Sequence, residues 1–584
     1  MTDAETEKPE TENDDKKIIS QALRIWRLCE ERESDNRENY RKDIKFARLS
    51  EQWDPELKKQ RELERRPCLT INKLPPIIRG VVNDARQNKP SIKVLPQDSN
   101  ADPKTAEVIT GLVRNIESSS SADIAYDTSV DCAASGGFGY FRLNLAYAND
   151  DTWDQDLVIE TVPDPLTIRG DPYSLAADSS DWNHAFVTEM VSKGEFEERW
   201  PDADPGSFDT TDYEDGWCDG DRIMVAEYWR RTQGQRLITL LTNGSVVDVK
   251  EYQANVEAYQ SQQPPVYPTG NPRVVPTFKV TQHIITARQV LDTVEWPGKW
   301  IPIFPVYGET VILDGRRYLR SLVRDARDPQ IMFNAWRTAS TEMVAMAPKA
   351  PYIGKQGAFN TDLAKWETAN NASHPFIEYD GNEPPQRQPF PGVPAGALQE
   401  ALNSADDIKA TTGIYDASLG ARSNETSGVA INARKVQGNL STFHIVDNLA
   451  RAIEHCGNVM LDLIPKVYTV GRVLRTLGED GTPSAFMVGD PNQQQTPDPQ
   501  AQQVAEILPI YDLSAGKYDL TVSVGPGYQT RREEAASQMI EAARAFRALA
   551  ERLVTDTVPP VSMAGCSARN EPVDVPVQVA RRRD

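Results

Sequence analysis

Eight carboxylates crowd residues 202–221, Asp202, Asp204 and Asp221 among them, and a hard divalent cation is held by several such oxygens. The stretch does not match the twelve-residue calcium loop with glycine sixth and glutamate twelfth. A solvated acidic loop is therefore the plainer expectation, with the three aspartates kept as weak metal candidates. No G-x-x-x-x-G-K-[ST] loop is present to cradle phosphates. Neither H-E-x-x-H nor G-x-S-x-G occurs. Gly136, Gly137 and Gly139 fit a tight turn rather than a dinucleotide loop. The five histidines, His184, His283, His374, His444 and His455, are far apart and read as ordinary surface or interface residues. Cys29, Cys68, Cys132, Cys218, Cys456 and Cys566 form no C-x-x-C pair, so free and mostly buried thiols are expected. The residues point to no enzyme and to no cofactor.

The elements that carry these side chains suggest an α+β protein of several parts. Its 584 residues are 39% hydrophobic and 26% charged, with a net charge of -22. A DNA-gripping protein would show a basic face. With 86 acidic against 64 basic residues, either nucleic acid is irrelevant or contact with it stays weak. No apolar run is long enough to span a membrane, and the polar, acidic start is unlike a signal peptide, so a cytosol-like compartment is expected. Residues 1–17 read as a disordered acidic tail and 18–221 as an N-terminal α+β part. Within it, helices precede Pro67, another opens near Pro75, strands follow at 91–98, 136–147 and 157–168, and a helix spans 105–118. Residues 222–315 read as a β-rich insertion with Asn243-Gly244 at a hairpin turn and a loop over 261–276. A helix is expected over 316–346, with Asp328-Pro329 as its cap and first turn. Residues 347–396 form a further segment and a Pro-rich linker. Within 397–489, Val436, Leu440, Phe443, Val446, Leu449, Ile453, Cys456, Met460 and Leu463 recur at steps of three and four. That spacing predicts a helix from Ser427 to Pro465, roughly 55 Å long. Its apolar stripe could serve core or subunit contact, with Leu440, Phe443, Leu449, Ile453 and Met460 as interface candidates. A Gln/Pro linker (490–510), a strand at 517–524 with an Ala/Arg/Glu-rich helix (within 511–555) and an irregular tail (556–584) complete the chain.

Two stretches, RPCLTINKLPPIIRGVVNDARQNKPSIKVLP (66–96) and GIYDASLGARSNETSGVAINARKVQGNLSTFHIVDNLARAIEHCGNVMLDLIPKVYTVGRVLRTLGEDG (413–481), resemble portal proteins of short-tailed double-stranded DNA phages. WIPIFPVYGE (300–309) and SVGPGYQTRREEAASQMI (523–540) fall in the family's order, and the likeness runs from about residue 20 to 545. The resemblance implies a ring of twelve copies around a channel, built of wing, stem, clip and helical crown. It makes 222–315 the clip with adjoining stem, 316–346 a stem helix, 347–396 tunnel-proximal, the long helix part of the wing, and 511–555 the base of the crown. A full crown or helical barrel is not expected after Leu553. Lys349, Lys355, Arg337 and Glu342 become DNA-channel candidates, with two lysines where relatives carry a denser cluster. The implied partners are the terminase large subunit, scaffolding and major capsid proteins, tail and head-completion adaptors, and DNA passing without sequence preference. The implied place is the portal vertex of the virion, after assembly in the host cytoplasm, with no membrane insertion. An acidic ring fits that task, because repulsion keeps a duplex centred and sliding. A carboxylate-metal nuclease, a terminase subunit and another virion adaptor or scaffold are the alternatives.

Overall fold

The computed structural model describes residues 8–97, 101–204, 216–242, 244, 246–261, 265–346, 351–388, 395–414, 443–468, 471–478, 480–489, 509–513, 516–524 and 539. The chain begins with α1 (Lys8–Arg48), α2 (Pro55–Leu63), α3 (Leu74–Gln87), β1 (Pro90–Pro96), α4 (Pro103–Ser119), α5 (Ala122–Gly136), β2 (Phe138–Tyr147) and β3 (Gln155–Thr161). Next come β4 (Ile168–Arg169), β5 (His184–Ser192), α6 (Lys193–Arg199), β6 (Cys218–Asp219), β7 (Arg222–Leu241), β8 (Val246–Asp248), α7 (Val249–Ala254), α8 (Val256–Gln260), β9 (Pro268–Ile285) and β10 (Val290–Trp296). Then follow β11 (Ile303–Tyr307), β12 (Glu309–Leu313), β13 (Arg316–Arg320), α9 (Leu322–Met346), β14 (Tyr352–Ile353), α10 (Leu363–Thr368), β15 (Gln386–Arg387) and α11 (Ala395–Thr412). Last are α12 (Phe443–Val467), β16 (Val473–Leu477), β17 (Pro483–Val488), β18 (Ile510–Tyr511) and β19 (Tyr518–Val524). The mixture of helix and strand is the α+β class expected.

The main core forms where α5 and α12 cover the three-stranded sheet β11-β2-β3. The glycines between α5 and β2 do make a tight turn. Gly137 has φ +105°, and a Cβ at Gly139 would stand 2.1 Å from the Ser129 carbonyl oxygen. α12 also lies against β1 and β19. Gly457 permits that approach, since a Cβ there would meet Leu520 at 2.8 Å. A second core sets Ala22, Ile25, Trp26 and Cys29 of α1 against Phe186, Trp217 and Tyr228.

Several boundaries differ from the sequence reading. α1 starts at Lys8 within the expected 1–17 tail, because Lys and Glu are good helix formers and an ion pair such as Lys17–Asp14 (2.8 Å) extends the register. The expected cut at 221/222 falls inside a sheet: β7 pairs with β5 from Arg222 to Arg230, and β11 pairs with β2. Residues 222–315 are thus laced into the N-terminal part and form no separate insertion. Arg222–Leu241 is one twenty-residue strand, β7. β7 does pair with β8 as a hairpin, with Gly244 N–H donating to the Leu241 carbonyl (2.9 Å) between them, while Asn243 lies outside the described residues. The expected loop 261–276 is strand from Pro268 onward. Pro268, Pro272 and Pro276 share one parity, so their missing N–H groups lie on one edge of β9, where a ladder tolerates proline. Residues 316–320 pair with β12 before the helix begins. Pro329 sits inside α9 rather than capping it, and Pro465 inside α12 rather than ending it. The expected helical stretch 427–442 and the helix at 530–554 lie outside the described residues, save Met539.

Candidate assembly and channel surfaces

The extended run Arg66–Lys73, part of RPCLTINKLPP, is read by side chains at four-residue steps along α9. Gln330 Oε1 accepts from Lys73 N–H (3.1 Å), and its Nε2 donates to the Ile71 carbonyl (2.8 Å). Asn334 Oδ1 accepts from Ile71 N–H (3.0 Å), and Thr338 Oγ1 from Leu69 N–H (3.2 Å). Four helical residues advance about 6 Å and two extended residues about 6.6 Å, so the two repeats stay in step over these rungs. At the next step Glu342 accepts from Arg66 Nε (2.6 Å) and from an Arg61 guanidinium nitrogen (3.0 Å). The Arg66 hydrogen bond, with the one from Arg61, holds the Glu342 carboxyl below the usual glutamate range.

Behind the ladder, Asn334 Nδ2 donates to Gln52 Oε1 (2.7 Å), and Gln52 Nε2 to the Phe46 carbonyl (3.1 Å). Asn72 donates to the Ala47 carbonyl (2.7 Å) and accepts from Leu74 N–H (3.1 Å), which starts α3. At the other end of α9, the Asp43 carboxylate is fully buried. It takes Arg324 (2.9 Å), Arg327 (3.6 Å) and the Ser321 hydroxyl (2.8 Å). Such a charge is tolerable in the interior only because it is paired and hydrogen-bonded. α9 is therefore fastened to the N-terminal helices along most of its length.

The free side of α9 is different in character. Ile331, Met332, Met343 and Val344 are exposed there. α11 packs along α9 through small residues, with Ala397, Ala401, Ser404 and Ala405 buried, while Leu398 and Leu402 face out. Two helices that present this much aliphatic surface mark an interaction face. Between them in sequence, residues 351–388 gather around Trp366, which meets Tyr352 and Phe359 edge to face and donates to the Glu378 carbonyl (2.9 Å).

The expected channel residues fall unevenly. Arg337 is exposed on α9, whereas Glu342 is engaged by two arginines. Lys355 is exposed and pairs with Glu383 (3.0 Å), and Lys349 lies outside the described residues. Of the interface candidates, Leu440 lies outside them too, and Phe443 is exposed. Leu449, Ile453 and Met460 are fully buried within their own subunit, so the apolar stripe of α12 is internal core and not a contact surface there. Asp202, Asp204 and Asp221 are exposed, and no three His, Cys, Asp or Glu side chains are grouped as a metal site among the described residues.

His444 is exposed on α12, as expected of a surface residue, whereas three other histidines are tied more deeply into the fold. His283 bonds Thr281 and Thr293 (3.2 and 2.9 Å), and His184 bonds the Tyr228 hydroxyl (3.0 Å). His455 is buried against Trp300 and Phe304, and burial pushes its pKa down to about 4. Cys29, Cys132, Cys218 and Cys456 are buried free thiols, and Cys68 is half-buried. Sequence reasoning missed Gln330, Asn334 and Thr338. Their signal was a polar stripe at i, i+4, i+8 facing alternate residues of 69–73.

No helix among the described residues is long and apolar enough to cross a membrane. Residues 23–563 match the family described as phage P22-like portal protein. A portal protein of Acyrthosiphon pisum secondary endosymbiont phage 1 is 26% identical over 535 residues, covering 86% of this chain and 72% of that protein.

Proposed function

This chain belongs to the P22-like portal protein family, and we propose that twelve copies close into a ring at one capsid vertex, through whose channel double-stranded DNA is packaged and later ejected. Portal function and a structural, non-enzymatic role come with the family. α9 and α11 are proposed as the stem; 351–388, in place of the expected 222–315, as the clip that meets first the terminase large subunit and then tail and head-completion adaptors; and the sheets with α12 as the wing facing scaffolding and capsid proteins. The ring is assembled in the host cytoplasm before it becomes part of the virion.

One observation carries this assignment: the paired helices flanking 351–388 are anchored inward by the Asp43 cluster and the Gln330–Glu342 ladder, yet bare outward at Ile331, Met332, Leu398 and Leu402. A ring closes through heterologous contacts, and a rigid helix pair with one aliphatic face supplies such a contact. Arg337, Lys349 and Lys355 are proposed as sparse cationic points near the DNA. Few of them suffice, since each firm phosphate contact adds affinity that would impede sliding. Electron micrographs of purified particles viewed down their axis test the reading. The expected image is a closed ring whose pore admits a DNA duplex, and particles with no pore or a narrower one refute it.

A further inference from the structure

The loop between β2 and β3 carries an aromatic knob. Tyr147 and Trp153 meet edge to face with ring centroids 6.2 Å apart, and Trp153 is 90% exposed. The turn beneath them is fixed by hydrogen bonds from Ala148 N–H to the Asp154 carbonyl (2.8 Å) and from Asp154 N–H to Thr152 Oγ1 (3.1 Å). Arg472 braces the base through Asp156 (2.6 Å) and Asp154 (3.6 Å). Asp150 and Asp151 stand exposed beside the rings. A rigid, acidic, tryptophan-bearing projection with almost no cover from its own chain has the composition of an interface anchor.

Elsewhere the same chain presents the complementary surface. β5 pairs with β7 only to Arg230, and β10 with β9 only to Val280. Beyond those points the two long strands stand as a ribbon as far as Leu237, after which β8 pairs with the other edge of β7 from Ile238 to Leu240. Successive cross-strand neighbours on one face are Gly234 and Thr277, Arg236 and Val275, then Ile238 and Arg273. Two guanidinium groups thus alternate with two aliphatic side chains, and Gly234 leaves the floor beside them low. Arg236 and Arg273 are exposed, with no ion-pair partner among the described residues. The prolines of β9 block strand addition at its outer edge, so a partner must use the face.

We propose that Trp153, with Asp150 and Asp151, of one copy docks on the Arg236–Val275–Ile238–Arg273 face of the next copy. The inference rests on the ring reading and adds a specific contact to it. The indole would lie against a guanidinium, an attraction that acts within about 6 Å of the ring centre, while the aspartates pair with the arginines. The contact joins unlike patches, as a closing ring requires.

A charge-swap experiment on the full chain decides the matter, with ring formation followed by mass photometry over a concentration series. Arg236→Glu with Arg273→Glu, and separately Asp150→Arg with Asp151→Arg, are each expected to raise the concentration needed for ring formation by at least about tenfold, the effect of 1.4 kcal/mol per contact. Trp153→Ala should act in the same direction. All these sites are exposed, and unchanged melting temperatures verify that the variants fold. Mixing the two charge-reversed chains in equal amounts should restore rings, because an alternating ring matches every knob to a ribbon. Wild-type-like assembly of either reversed chain, as when the knob serves a different protein, overturns the proposal. So does a mixture that fails to recover. A wild-type chain that never forms rings refutes the ring reading itself, a result distinct from both.

Discussion

Asn334 occupies the middle rung of the ladder, and Asn334→Leu should release the 69–73 segment while leaving the main core in place. The replacement has similar bulk but no polar atoms. It strands Ile71 N–H and Gln52 Oε1, which Asn334 meets at 3.0 and 2.7 Å, and removes one of the two acceptors of Gln330 Nε2 (3.2 Å), which keeps the Ile71 carbonyl. An orphaned buried polar group costs about 1–3 kcal/mol. Ile71 is 39% exposed, so water can reach its amide and that part of the cost is small. Gln52 is buried and carries most of it, with a smaller share at Gln330, which loses one of its two amide hydrogen bonds, for a total of roughly 3 kcal/mol. At 1.4 kcal/mol per tenfold, amide hydrogen exchange at Leu69, Ile71 and Lys73 should quicken about a hundredfold, with α12 amides unchanged. Adding Gln52→Leu should cost less than the sum of the single changes, because removing both partners of a bond spares the orphan. Unaltered exchange at 69–73, or an equal loss of protection throughout the molecule, would refute the reasoning.

Other outcomes can be checked independently. Glu342 has a depressed carboxyl pKa when folded, so its tie to Arg66 stabilises at neutral pH and is lost as pH falls through that folded value, below the ordinary glutamate pKa of about 4.3. Hydrogen exchange over 58–66 should therefore rise in acid for the wild type and be fast at every pH in Glu342→Gln. Burial raises Glu117 to about 7. The folded state then holds a proton that the unfolded state has released, so stability declines as pH climbs from about 4.5 to 7; Glu117→Gln should flatten that slope in melting curves. Leu449→Asp with Ile453→Asp puts two carboxyls into a sealed core at a cost of several kcal/mol each, against a total stability of about 5–15, and should yield no folded protein by circular dichroism. Lys349→Glu with Lys355→Glu gives up only one exposed ion pair among the described residues, contributing about 0–1 kcal/mol. Assembly should persist while DNA retention in filled heads changes; identical retention would argue against a place near the DNA.

Much of the fold was legible because burial imposes periodicity. The three-and-four spacing from Val446 to Leu463 shows α12, and the alternation in GGFGYFRLNLAY shows β2. What escaped did so for physical reasons. The buried positions of α5 are mostly Ala, Ser, Cys and Gly, and Ile124 faces out, so close packing leaves little hydrophobic pattern. Proline misled three times: at 268–276 it lies along an open edge, and at 329 and 465 it lies inside helices that continue past it despite the lost bond. The candidate site was harder still. A polar stripe such as Gln330, Asn334 and Thr338 normally means solvent, and only the partner segment shows that it is interior. Leu449, Ile453 and Met460 were ambiguous for the converse reason, since an apolar stripe does not say whose surface it covers.

The pairing of β1 with β19 joins Pro90–Pro96 to Tyr518–Val524 through seven residue pairs. More than four hundred residues intervene. Ordering so distant a contact is slow, because the entropy of closing the intervening loop comes first. A nascent chain still on the ribosome cannot complete this seam until translation has passed Val524, so the sheet of β1 and β19 closes only after every element between them has been made. A product terminated before Tyr518 is left with β1 unpaired, and the α12 face that β19 covers stays exposed.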